Sequence, residues 1–125
     1  MMQTKPILAR VTLALAGLVG AGGVMAAAAS SHGGGSANLG AIATVCLAHG
    51  PALLALGLSP LRGRLFGAAA ISLALGTLIF AGDLLSREYL GHSAFPFAAP
   101  LGGVGMIGGW GLVIAGGLFS RVVIK

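Results

Sequence analysis

Residues Ala98–Phe119, AAPLGGVGMIGGWGLVIAGGLF, contain eight glycines and no charged side chain, and few environments allow such a stretch to be ordered. In water a helix loses about 1 kcal/mol for each glycine that stands in place of alanine, so a soluble helix of this composition would melt. In hydrocarbon the alternative is worse, because an unwound backbone would leave its amides and carbonyls without partners. The stretch is therefore read as a membrane-spanning helix, whose roughly 22 residues at about 1.5 Å each reach about 33 Å, enough for a hydrocarbon core about 30 Å thick. At 100° per residue Gly102, Gly105, Gly109 and Gly116 fall on one narrow stripe, and Gly108, Gly111 and Ala115 on another roughly opposite. Both stripes are expected to pack against other helices. The bulky sector between them, Ile107, Trp110, Ile114 and Leu118, is expected to face lipid.

The rest of the chain has the same character. Of 125 residues, 57% are hydrophobic and 7% charged, which lies outside the range of soluble domains and leaves room for four spans with short connections. The expected architecture is an all-α membrane protein, a single domain over residues 1–125 with helices at about 7–29, 39–58, 65–85 and 98–119. A net charge of +5 would suggest nucleic acid in a soluble protein, but here the cations cluster at span ends, so the partner is the lipid bilayer and not a nucleic acid. One cysteine, Cys46, excludes an intramolecular disulfide and suits a small apolar core position.

The first span follows Pro6 and carries Arg10 close enough to its end to reach the headgroups. Its basic start and the small residues Ala26 to Ala29 also resemble a cleavable leader, but the segment is expected to be retained as a helix. Residues 30–38, SSHGGGSAN, read as a turn-rich link, and Ser59-Pro60 closes the second helix. Residues 86–97, SREYLGHSAFPF, read as an interfacial loop whose Tyr89, Phe95 and Phe97 suit a headgroup belt. Lys5, Arg10, Arg62, Arg64, Arg121 and Lys125 lie at one set of span ends and only Arg87 at the other. The positive-inside rule then places both termini in the cytoplasm, which an even number of spans also allows.

Two groups of residues could carry chemistry. His49 lies about ten residues into the second helix, hence about 15 Å deep. Pro51 cannot donate to the carbonyl of Leu47, so an imidazole and a free acceptor share one turn, an arrangement that could hold a proton or small cation. The alternative is a neutral histidine hydrogen-bonded to a neighbouring helix. His32, Asp83, Arg87, Glu88 and His92 fall at the outer surface and could form one polar cluster, with Asp83 and Arg87 at i,i+4 spacing. Their spacing contains no ligand motif, so no metal is expected. No hydroxyl is accompanied by a nucleophile elbow or base, and Gly33-Gly34-Gly35 lacks the context of a phosphate loop, so no enzyme is expected. His32 is superficial and His49 deep, so paired axial ligands for a haem are not apparent and no cofactor is expected.

Ala27-Ala28-Ala29-Ser30-Ser31-His32, His49, Gly76-Thr77-Leu78-Ile79-Phe80-Ala81-Gly82, and Ala99-Pro100-Leu101-Gly102-Gly103 with Gly109-Trp110 occur in an order that resembles the YgdD-like small inner-membrane proteins, a family built on domain of unknown function 423. The resemblance implies a four-helix, multi-pass protein of the bacterial inner membrane and implies no biochemical activity. Two functions stay open at this stage. One is a non-catalytic structural or accessory subunit of a larger inner-membrane complex, consistent with small-residue stripes and almost no extramembrane mass. The other is a small transporter or channel, working through His49 and requiring a homo-oligomer to enclose a path.

Overall fold

Each apolar run forms a helix, because only a helix satisfies the backbone of a segment surrounded by hydrocarbon. The computed structural model describes residues 7–32, 35–59 and 63–119. Its elements are α1 (Ile7–His32), α2 (Ala37–Leu58), α3 (Arg64–Tyr89) and α4 (Ala98–Phe119). All four are long and apolar enough to cross a membrane, and large apolar side chains such as Leu18, Met25, Ile107 and Leu118 project outward as they would into lipid. Lys5, Pro6, Pro60, Arg62, Arg121 and Lys125 lie outside the described residues, as do Gly33 and Gly34.

The helices are longer than the sequence indicates at three ends. α1 runs through Ser30 and Ser31 to His32, and α2 begins at Ala37, so the link between them is shorter than residues 30–38. α3 continues one turn past Leu85 to Tyr89, so a third of the expected loop at 86–97 is helix. The cause is visible at that turn. Arg87 bonds Asp83 one turn back, the Leu90 amide donates to Ser86 O, and Gly91 takes φ 81°, a conformation that ends a helix at little cost for glycine.

α1 packs antiparallel on α2 and α3 antiparallel on α4, and the two hairpins meet mainly through α2 and α3. Small residues set both close seams. A Cβ added to Gly50 would lie 3.0 Å from the Gly20 backbone, and one added to Gly57 would lie 2.7 Å from Leu13 Cδ2. In the second hairpin a Cβ on Gly76 would lie 2.7 Å from Gly102 O, and one on Gly102 would lie 2.6 Å from Phe80 N. Gly109 meets Leu73 and Gly116 meets the Phe66 ring. At this approach Ser72 Oγ donates to Gly105 O at 2.6 Å, a hydrogen bond between helices that a bulkier seam would prevent.

The second stripe on α4 does not pack in this way. Gly111 has no atom within 4 Å of an added Cβ and Gly108 has only Ser72 Oγ at 3.9 Å. The reason is topological. No pair of Cα atoms within 8 Å joins α4 to α1 or α2 among the described residues, so α4 has one helix at backbone distance instead of the two that its composition suggested, and reaches α2 only through side chains.

Gly102→Ala should therefore destabilise the purified protein by about 1–3 kcal/mol through overpacking against backbone atoms, whereas Gly111→Ala should be neutral or slightly stabilising. Thermal melts in detergent check this, and equal loss in both variants would contradict the seam.

Candidate functional site

Polar side chains in a chain this apolar are few, so each can be followed to its partner. His49 is buried in α2 at 9% exposure. Its Nδ1 lies 2.8 Å from Val45 O, one turn back, and not on the Leu47 carbonyl beside Pro51. Its Nε2 lies 3.1 Å from Trp110 Nε1 of α4, with the ring centroids 5.7 Å apart and edge-on. An indole N–H can only donate, so Nε2 must accept, and Nδ1 then carries the proton that goes to Val45 O. Both nitrogens are satisfied by the neutral Nδ1–H tautomer alone.

This contact adds an inward bond to Trp110, which stays exposed in the outward-facing sector. Ile107, Ile114 and Leu118 are exposed as expected, and so is Trp110 at 42%, but its indole nitrogen turns inward. The signal that would have found the pair is depth. His49 is twelve residues after Ala37 and Trp110 twelve after Ala98 on helices running the same way, so both sit about 18 Å from their helix starts.

A second polar group gathers where α1 and α3 end and α2 and α4 begin. Asp83 has no exposed surface. Its Oδ2 accepts from Arg87 Nε at 2.9 Å and its Oδ1 from the Ala94 amide at 2.8 Å, and the Ala99 amide in the first turn of α4 faces the same carboxylate. Phe97, with φ 64°, turns the chain into α4, and its carbonyl accepts the first helical bond from Leu101. Glu88 does the equivalent at α2: its Oε1 accepts from Ser36 Oγ at 2.5 Å and from Asn38 Nδ2 at 3.3 Å, and Ser36 Oγ in turn accepts from the Leu39 amide as the helix cap.

The chain has two acidic residues, and each holds the N-terminus of a helix, the end where backbone amides lack partners and the dipole favours negative charge. The expected five-residue cluster therefore divides. Asp83 and Arg87 form one site, and Glu88 joins Ser36 and Asn38 in another. His92 is exposed with Nδ1 on Ser93 O, while its own carbonyl accepts from Ser86 Oγ. His32 stands exposed at the end of α1, and the hydrogen bonds to Asp83 come from Arg87 and Ala94. Among the described residues no three histidine, cysteine or carboxylate side chains converge as metal ligands.

A family model described as "Protein of unknown function (DUF423)" matches residues 19–103. The chain belongs to the DUF423 family. No curated protein and no solved structure matches it. The region matched to DUF423 holds His49, Asp83 and Glu88 and ends seven residues before Trp110. This DUF423 member is a small multi-pass membrane protein in which His49 with Trp110 and Ser72 with Gly105 join helix to helix.

Two stability measurements follow. Trp110→Phe should cost about 1–3 kcal/mol by leaving Nε2 unpaired, and a double-mutant cycle with His49→Leu should give a coupling of about 0.6–2 kcal/mol. Additive losses would remove the bond. Asp83→Asn should lower the melting temperature more than Arg87→Gln, because only the first weakens the grip on the start of α4. The reverse ranking would make the ion pair the main role of Asp83.

Proposed function

We propose that the protein is a non-catalytic structural or accessory subunit of a larger membrane assembly, with both termini in the cytoplasm of a bacterium and the helices crossing its inner membrane. One observation carries the reading: among the described residues no buried side-chain nitrogen or oxygen lacks a hydrogen-bond partner. A transporter's intramembrane site requires polar atoms left for substrate, in a cavity or beside unwound backbone. Here His49, Thr12, Thr77 and Asp83 each bond within the fold. α2 stays helical through Pro51, so no broken helix presents carbonyls to an ion. The second stripe on α4, with Gly108 and Gly111 exposed, is the surface at which a partner helix could approach closely. The orientation rests on the distribution of cations, of which Arg10 and Arg64 are exposed at the inner ends of their helices.

The test is paired. Gentle purification from native membranes should yield the protein in stoichiometric association with a larger complex, and Gly111→Leu should disrupt that association without unfolding the monomer. Proteoliposomes containing wild type or His49→Leu should show equal proton and cation flux. A flux abolished by His49→Leu would overturn the structural reading in favour of a transporter. A reporter fused after Lys125 should be active in the cytoplasm, and activity confined to the opposite side would reverse the orientation.

A further inference from the structure

Where this chain turns through a positive φ it uses glycine, at Gly35, Gly63 and Gly91, with one exception among the described residues. Phe97 takes φ 64°, a conformation in which a Cβ crowds its own backbone and which a bulky residue rarely adopts. A glycine there would avoid the cost. The fold holds this strained turn from both sides. Asp83 accepts the Ala94 amide at 2.8 Å and faces the Ala99 amide, Phe95 O accepts from the Ala98 amide at 3.2 Å, and Phe97 O accepts from the Leu101 amide at 2.9 Å. Phe97 enters these bonds through its backbone alone, so a glycine would make them equally well. The ring adds little packing in return, since Phe97 is 81% exposed, the highest value of any large apolar residue described. A side chain kept against strain, with so little gained inside the fold, points to a contact outside it.

The spans fix what surrounds the ring. α4 has 22 residues and reaches about 33 Å, little more than a hydrocarbon core about 30 Å thick, so its first residue, Ala98, lies at the hydrocarbon edge. α3 gives the same level. Asp83, nineteen residues after Arg64, stands about 28 Å along that helix and meets the Ala94 and Ala99 amides there. Beyond the edge lies the interfacial layer of glycerol, ester and headgroup atoms, about 5–7 Å thick on each side. Phe97 adjoins Ala98 and so falls within that layer.

We infer that Phe97 is a membrane anchor: its ring inserts among the glycerol and ester groups of the leaflet at the end of the bundle away from both chain termini, and the left-handed turn aims it there. The chemistry fits this partner. A phenylalanine ring has no polar tip to keep in water, and in interfacial segments such rings are buried at the boundary between headgroups and acyl chains. Asp83, which holds the chain on either side of Phe97, is the positioning residue for the anchor. The inference goes beyond the accessory role and does not rest on it, since the partner is lipid.

The test locates the ring and then removes it. The full chain is reconstituted in phosphatidylcholine nanodiscs with isotope-labelled phenylalanine rings, and the Phe97 resonance is identified by its loss in Phe97→Leu. Relaxation of that resonance is measured with a nitroxide placed near the carbonyl end of a lipid acyl chain and, separately, with a water-soluble gadolinium chelate. In the wild-type protein the nitroxide should relax the Phe97 ring several-fold more than the chelate does. Equal relaxation, or the reverse order, would place the ring in water, where a docking site for a protein partner would stand, and would overturn the inference whatever the variants do. Amide exchange in the same nanodiscs supplies the second reading. Phe97→Ala removes the ring, so the Ala98, Ala99 and Leu101 amides should exchange several-fold faster, and Phe97→Trp, which restores an aromatic ring, should return them to wild-type rates. Unchanged exchange in Phe97→Ala, or equal acceleration in Phe97→Ala and Phe97→Trp, would overturn it as well.

Discussion

A helix that begins inside or at the edge of a membrane presents backbone amides that have no intrahelical acceptor, and in a low-dielectric setting those amides need one from elsewhere. This chain meets that demand from α3. Asp83 accepts the Ala94 amide just before α4 and faces the Ala99 amide in its first turn, while at α2 the Ser36 hydroxyl accepts the Leu39 amide and is itself held by Glu88, which also accepts from the Asn38 side chain. Helix α3 thereby fixes where both of its neighbours start. The arrangement also explains why α3 extends to Tyr89, since a helix ending at Leu85 would not carry Glu88 to Ser36.

With the starts of α2 and α4 fixed, backbone approach determines how the helices lie. Small residues bring α1 to α2 and α3 to α4 until backbone atoms are near neighbours, and the carbonyl of Gly105 comes within reach of Ser72. Between hairpins the spacing is wider, and α4 does not approach α2 at the backbone level. Two long side chains cross that interval. Trp110 donates to His49 across it, so the deepest ionisable residue in the protein acts as a clasp between hairpins. A bond of this kind contributes only about 0.6 kcal/mol on average in membrane proteins, so its main effect is to fix the rotation of α4 about its axis.

Much of this was legible in the sequence. Apolar length and glycine content identified four spans, and the bounds of α4 followed from the change of composition at Phe97 and from Pro100 at the helix start. The Asp83–Arg87 pair followed from i,i+4 spacing. The amides that complete the Asp83 site did not, because they come from a turn whose shape depends on Phe97 in a left-handed conformation that no residue-type rule assigns to phenylalanine. The seam of Gly20 and Gly23 with Cys46 and Gly50 was missed because α1 and α2 are apolar on every face, so periodicity marks no inward side. The bond from Trp110 to His49 was missed for a related reason. The angular position of Trp110 puts it beside the bulky outward-facing residues, where it is exposed, and only its depth, equal to that of His49, identifies the contact.

The central claim is that the intramembrane histidine of this DUF423 protein is part of the fold and not a carrier of protons, and the proton's position on the ring decides it. Nitrogen-15 NMR of histidine-labelled protein in bilayers at neutral pH reads that position directly. The geometry predicts a protonated Nδ1 and an unprotonated, hydrogen-bond-accepting Nε2 whose resonance moves when Trp110 is replaced by phenylalanine. A ring protonated at Nε2, or at both nitrogens, would contradict the account and leave His49 available for transport.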